Sequence, residues 1–347
     1  MKTIVISGAC SNIGKTTLAK AVCDALPGAV FVKIGTGVKK EDSLDILYPF
    51  GTPFRDVEAD HRGADFLVIE SNHILAEIDP DLCIFLDGQR VTPISQRDLP
   101  MHEKPSAALA RQKADIVRGQ KVTGEQAAAF SRRLEVPLDK MHELCFLAGA
   151  NPEPVSAIIM AGGASSRMGK NKALLSIAGK SMIRHIYDTL QPLFDEIIIS
   201  VSKKGEPLIP DANNVVTVID LKPGQGPLMG IYSGLSASSS RVNFVIACDI
   251  PTIDLPLMRK LLSCSCRYDI AVPSFKPQEF EPLFAVYTRE VTRTAKTLLD
   301  RNQRRIGELF PLGKTKVVEI ADCRWYANLN TPHDYQCFIN EKREGDE

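Results

Sequence analysis

The chain has 347 residues, 44% of them hydrophobic, with 42 Lys and Arg balanced by 42 Asp and Glu. That length suits two domains with a core each. The charge balance leaves no net field to draw in nucleic acid or an anionic membrane, and no apolar run approaches the roughly 20 residues that span a bilayer. The apolar part of the N-terminus, Ile4 to Ile6, is too short for a signal peptide and reads as a first strand. The 9 cysteines are scattered, with Cys264 and Cys266 the one close pair, and the 6 histidines show no metal-ligand spacing. Reduced thiols in a cytoplasmic protein are expected.

Residues 3–7 predict a strand that runs into Gly8, Ala9, Cys10, Ser11, Asn12, Ile13, Gly14, Lys15, Thr16 and Thr17. A helix follows, with Leu18, Val22 and Leu26 on one face and Pro27–Gly28 ending it. A glycine loop between strand and helix, closed by Lys-Thr-Thr, suits a phosphate. Loop amides and the helix N-terminus hold oxygens, Lys15 reaches the β- and γ-phosphates, and Thr16 ligates Mg²⁺. Five residues separate Gly8 from Gly14, one more than in the common pattern, and Ala9 stands where its first glycine would be. This spacing is similar to that of the dethiobiotin synthetase loop.

The second strand is 30–34, and the polar, turn-rich stretch 35–63 is expected to be a mobile substrate or switch region. The strand 65–70 ends on Glu70, at the end of a parallel strand that faces a ligand crevice. Glu70 is therefore a candidate Mg²⁺ ligand, direct or through water, or equally a surface glutamate. Another strand is expected at 82–86, a loop with one helix at 93–111, a short strand at 114–117 and a helix at 124–134 capped by Thr123. This alternation predicts a P-loop NTPase-like parallel sheet over residues 1–148. The half loosely resembles the small GTP-binding adaptor of molybdopterin guanine dinucleotide synthesis, through the phosphate loop and the strand ending at Glu70. The histidine-containing segment of that family is not visible at Lys33 to Val38. A P-loop domain of the dethiobiotin synthetase type fits equally. Either resemblance implies an accessory module that binds GTP or ATP. Ala148 to Pro154 reads as a linker.

Residues 154–347 form the second expected domain. Ala157 to Met160 is a buried strand, and Ala161, Gly162 and Gly163 turn sharply after it. Arg167 and Lys172 then supply two cations, and a helix is expected over 173–190. The amides of such a loop can cradle a triphosphate, and the cations can neutralise charge on a departing pyrophosphate. Strands are expected at 196–201 and 215–219, followed by Asp220, Gly226, Pro227 and Leu228. Pro227 suits a first helical position, the glycines leave room for a flat base, and Asp220 can accept from the N1 and N2 donors of guanine. The strand 242–247 ends near Asp249, a carboxylate placed for Mg²⁺.

The segment from Ala161 to Lys172, then Gly226-Pro227-Leu228, then Cys248-Asp249-Ile250-Pro251, resembles the motif set of molybdenum cofactor guanylyltransferases. Glu281 to Ala285 resembles a later strand of that family, and Asn328-Leu329-Asn330-Thr331-Pro332 its Asn-x-Asn-Thr-Pro motif. Asn171 replaces a frequent aspartate. The resemblance implies an α/β protein with a Rossmann-like nucleotidyltransferase domain after the P-loop domain. It implies transfer of GMP from Mg·GTP to molybdopterin, releasing pyrophosphate and making molybdopterin guanine dinucleotide. Arg167, Lys172 and Asp249 are its implied catalytic residues, with Asp249 on Mg²⁺. Ala161, Gly162, Gly163, Asp220, Gly226, Pro227 and Leu228 are implied around the nucleotide, and Asn328 and Asn330 at the cofactor or a phosphate. Molybdoenzymes and their chaperones are further implied partners. Cytidylyl transfer to the same cofactor, or nucleotidyl transfer to a sugar or polyol phosphate, is the alternative. A turn-and-cap role for Asn330-Thr331-Pro332 also stays open.

Overall fold

A computed structural model describes all residues except Asn12, 36–45, 88–103, 163–171, Ala178, 204–207, 213–214, 321–325 and 345–347. The chain divides into two units, Met1–Glu153 and Pro154–Glu347. No helix among the described residues is long and apolar enough to cross a membrane.

The first unit runs β1 (Lys2–Gly8), α1 (Lys15–Ala25), β2 (Ala29–Ile34), β3 (Ile46–Tyr48), α2 (Phe54–Asp60), β4 (Phe66–Glu70), β5 (Leu82–Leu86), α3 (Ala107–Gln112), β6 (Ile116–Val117), α4 (Gly124–Leu134) and α5 (Leu138–Ala148). Its sheet has the order β3-β2-β4-β1-β5-β6, and every pairing is parallel. The central strands are apolar on both sides because both faces are covered. Leu18, Val22, Leu134, Met141 and Leu144 pack on one face, and Val57, Leu75, Ala107 and Ala110 on the other. Thr123 caps α4 in a reciprocal box with Gln126.

Two expectations for this unit change. The stretch 35–63 contains an edge strand, β3, and a short helix, α2, with Val57 fully buried. They do not stand out of this polar stretch because β3 is only 3 residues long and α2 buries Val57 alone. The expected linker begins inside structure: Ala148 ends α5, Gly149 adopts φ 75°, and the N–H groups of Gly149 and Ala150 donate to Phe146 and Cys145 carbonyls. A left-handed glycine closing a helix in this way is a stop signal, not a flexible spacer.

The second unit runs β7 (Val155–Met160), β8 (Ser176–Ile177), β9 (Lys180–Ser181), α6 (Met182–Leu190), β10 (Glu196–Val201), β11 (Val215–Ile219), α7 (Pro227–Ala237), β12 (Val242–Ala247), α8 (Leu255–Cys264), β13 (Ile270–Lys276), β14 (Glu279–Phe280), β15 (Phe284–Thr288), α9 (Val291–Asp300), β16 (Thr315–Glu319) and α10 (Pro332–Glu344). Its main sheet is mixed, in the order β11-β10-β7-β12-β15-β13-β14, with β16 also paired to β13. The first four strands of that order are parallel, and β15 runs antiparallel to β12. Helices α7 and α9 bury Leu228, Ile231, Leu235, Ala295 and Leu298 against one face. Gly230 and Gly234 let α7 lie close to β7. A Cβ on Gly230 would meet Met160 Cε at 2.4 Å, and one on Gly234 would meet Ile158 Cγ2 at 2.7 Å.

The helix expected over 173–190 starts only at Met182. A short turn at Lys172–Leu174 and the β8–β9 hairpin precede it. Gly179 takes φ 80°, and Ser181 caps α6 by accepting from Arg184 N–H. The apolar spacing of Leu175 to Leu190 is helical only from the cap onward. The strand expected at Glu281 to Ala285 begins at Phe284.

Candidate active site

In the second unit the parallel strands β7, β10, β11 and β12 end side by side, and the residues just beyond them make one edge. Backbone bonds continue the sheet there: Ala161 N–H donates to Ser200 O at 2.8 Å, Asp220 N–H to Val201 O at 2.8 Å and Cys248 N–H to Met160 O at 3.0 Å. Gly162 is required by close approach, since a Cβ would stand 2.9 Å from Ser202 N. Gly163 and Arg167 lie outside the described residues.

Lys172, Asp249 and Asn330 meet at this edge. Lys172 Nζ donates to Asp249 Oδ2 at 2.9 Å and to Asn330 Oδ1 at 3.0 Å. The Lys172 and Asp249 side chains are 18% and 19% exposed, so water screens the pair only in part. The strip 326–330 is tied alongside by Leu329 N–H, which donates to Asp249 O at 2.9 Å. Asp334 Oδ2 accepts from Asn330 and Thr331 N–H, while Asp334 N–H donates to Thr331 Oγ1. This reciprocal cap, with Pro332 in the first helical position, starts α10 and fixes the backbone of Asn330. The cap role and a place at the site therefore coexist in one motif.

Asn328 lies in the same strip. Its Nδ2 donates to Tyr326 Oη at 3.3 Å, and Tyr326 Oη donates to Glu281 Oε2. Glu281 Oε1 accepts Leu283 N–H at 3.0 Å. Burial pushes the Glu281 carboxyl up, against the hydrogen bonds from Tyr326 and Leu283. Burial and then the Glu281 carboxylate raise the Tyr326 phenol. Tyr326 carries no motif signal in the sequence; its role depends on a partner 45 positions away.

Asp220 accepts from Ser200 Oγ at 3.3 Å, and burial raises its carboxyl against that bond. Gly226 precedes α7 at φ 78° and Pro227 occupies the first turn. Leu228 is fully buried in the core, so its side chain serves packing.

The first unit gathers its own cluster. Asn72 clamps Gly8, accepting its N–H at 3.0 Å and donating to its carbonyl at 2.9 Å. Gly14 takes φ 87° directly before α1. Lys15 is 8% exposed and donates to Cys10 O at 2.7 Å. Burial, with Lys104 nearby, lowers its ammonium to about 8. Thr16 Oγ1 donates to Glu70 Oε2 at 2.5 Å, and Lys33 Nζ lies 3.3 Å from Glu70 Oε1. Glu70 is thus a buried, paired carboxylate and not a surface glutamate. Thr17 is exposed on α1. Lys33 and Asn72 were not singled out by sequence, although Lys33 is a cation near the end of an otherwise apolar strand.

Among the described residues no three or more His, Cys, Asp or Glu side chains gather to hold a metal. Magnesium keeps several waters and binds through one or two carboxylates plus substrate phosphates. Asp249 Oδ2 and Asn330 Oδ1 already share one ammonium, so this oxygen pair accepts a cation and fits that manner of binding.

An edge with a glycine turn, a lysine and a strand-end carboxylate suits the phosphoanhydride chemistry of a nucleotidyltransferase. A family model described as "MobA-like NTP transferase domain" matches residues 157–314. "Probable molybdenum cofactor guanylyltransferase" of Pelotomaculum thermopropionicum is 36% identical over 188 residues, 52% of this chain and 89% of that protein. "Molybdenum cofactor guanylyltransferase" of Pseudomonas fluorescens is 31% identical over 186 residues, 53% of this chain and 92% of that protein. The crystal structure of "Molybdopterin-guanine dinucleotide biosynthesis protein A" from Archaeoglobus fulgidus has a TM-score of 0.48 at 19% identity, covering 55% of this chain and 99% of that one. The chain belongs to the molybdenum cofactor guanylyltransferase family, and the second unit carries the resemblance.

Proposed function

We propose that the second unit transfers GMP from GTP to the terminal phosphate of molybdopterin, giving molybdopterin guanine dinucleotide and pyrophosphate. The observation that carries this reading is the meeting of Lys172, Asp249 and Asn330 at the carboxyl edge of the parallel strands. The names of the relatives support the choice of substrates. An oxygen of the acceptor phosphate attacks the α-phosphorus of GTP. The bond from that phosphorus to the β-bridging oxygen breaks, and pyrophosphate leaves with the electron pair. The acceptor is already an anion, so no general base is needed, and positioning and charge neutralisation carry the rate. Lys172 turns from Asp249 to the phosphate oxygens, with Arg167 proposed as a second cation. Asp249, with the Asn330 amide oxygen beside it, would hold Mg²⁺, which would offset phosphate charge there. Ala161, Gly162 and Gly163 are proposed around the nucleotide, and Asp220 towards guanine donors. GTP labelled at the α-phosphorus tests this. The label should enter the cofactor with one pyrophosphate per transfer, and label transferred only to sugar or polyol phosphates would refute it.

The first unit we read as a nucleotide-binding module of the P-loop type. Gly14 before α1, Lys15 within the loop, and Thr16 bonded to Glu70 support it. Thr16 and Glu70 would hold Mg²⁺ there. Loss of GTP and ATP binding by the first unit in Lys15→Ala, with transfer by the second unit intact, is the expected result.

A further inference from the structure

Hydrogen-bond polarity runs in one direction from Glu281 to Asn328. The Glu281 carboxylate takes two donors, Leu283 N–H on Oε1 and the Tyr326 hydroxyl on Oε2. The single phenol hydrogen is thereby committed, and the phenol oxygen is left to accept. It accepts from Asn328 Nδ2 at 3.3 Å. This turns the amide so that its NH₂ faces Tyr326 and its carbonyl oxygen faces away. Asn328 Oδ1 is screened from water and, among the described residues, accepts nothing. Buried polar atoms are rarely left so, because an orphan costs its full desolvation penalty. The orphan sits in the strip that is pinned to Asp249 and that presents Asn330 to Lys172.

Phosphate oxygens are acceptors and would not pair with this atom; an N–H would. Building on the substrates proposed above, we infer that Glu281, acting through Tyr326, is a positioning residue. It fixes Asn328 as the acceptor for the N–H edge of a 2-amino-4-oxopyrimidine ring. Guanine and the pterin of the cofactor share that ring, so either could supply the donor.

Glu281→Gln reverses the chain. Leu283 N–H keeps the glutamine oxygen, which turns its NH₂ towards Tyr326. The phenol hydrogen then points at Asn328, and the amide flips to present NH₂ where Oδ1 had been. Equilibrium titration of GTP, ITP and molybdopterin into wild type, Glu281→Gln and Tyr326→Phe reads the effect without needing turnover. ITP lacks the 2-amino group. If guanine is the ligand, wild type prefers GTP to ITP and Glu281→Gln loses that preference through a roughly tenfold to hundredfold weaker GTP Kd. If the pterin is the ligand, molybdopterin weakens by that factor and the GTP to ITP ratio stays fixed. Tyr326→Phe, which lets the amide rotate, should show a smaller loss in the same direction and guards against a Glu281→Gln that fails to fold. Three dissociation constants that all hold, or that all weaken alike, would overturn the inference. These binding shifts in the variants, together with a wild type that transfers no GMP, would instead refute the proposed reaction and leave the polarity intact.

Discussion

Lys172 and Asp249 are partly buried and 2.9 Å apart, so each variant at this pair strands a charge as well as removing a group proposed to act in transfer. Lys172→Ala and Asp249→Asn should each lower transfer by about a hundredfold to a thousandfold, with the fold retained by circular dichroism. A loss below tenfold in both would remove them from the mechanism. Lys15 makes a pH prediction. Its folded value of about 8 lies below the ordinary 10.5, so it costs stability at neutral pH and returns it as pH rises from 8 towards 10.5. Over the same window the cation that a triphosphate needs disappears. Nucleotide affinity of the first unit should therefore fall as pH rises through 8, and binding at pH 8.5 should take up a proton. Calorimetry in two buffers of different ionisation enthalpy measures that uptake, and the same heat in both buffers would contradict it. At this scale the sequence showed which residue types stood at strand ends. It did not show their partners, since Lys172 meets Asn330 across 158 positions and Glu70 pairs with Lys33 on another strand.

Elements were legible wherever burial was complete. Strands β1, β5, β7 and β12 are near-continuous apolar runs, and their ends fell within about two residues of expectation. Some elements with a wet side were not: α2 and β3 lay hidden in a polar stretch, and α6 was extended backwards over a hairpin whose turn depends on Gly179, whereas α4 and β11 stand where they were expected. Glycines inside α7 had no visible reason until the helix was set against β7. Gly234→Ala drives a Cβ into Ile158, a β-branched residue in the fully buried β7 strand, and should destabilise the second unit by about 1–3 kcal/mol. Gly230→Ala meets the end of a Met160 side chain, which can swing aside, and Ser200 Oγ at 3.2 Å, and the gain in helix propensity offsets part of the cost, so the loss should be smaller than for Gly234→Ala. Urea unfolding of the two variants checks the difference, and equal losses would mean that α7 does not pack as described.

At the scale of the whole chain, two units each carry a glycine turn, a lysine and a carboxylate at a strand end, on sheets of different topology. The parallel sheet of the first unit and the mixed sheet of the second place these groups independently. Two nucleotide molecules should bind per chain, one should be lost in Lys15→Ala, and a stoichiometry of one in the wild type would refute a nucleotide site in the first unit. The strand-loop-helix alternation made both halves readable as α/β from sequence. The antiparallel return of β15 was not, because nothing in a buried strand records its direction. Guanylyl transfer to molybdopterin can be read by competition between nucleotides. Equal GTP and CTP are offered with Mg²⁺ and molybdopterin to the full chain, and the dinucleotide product is weighed by mass spectrometry. The guanine dinucleotide should form in large excess, and none should form with Asp249→Asn. A cytosine dinucleotide as the main product, or no dinucleotide from the wild type, would contradict it.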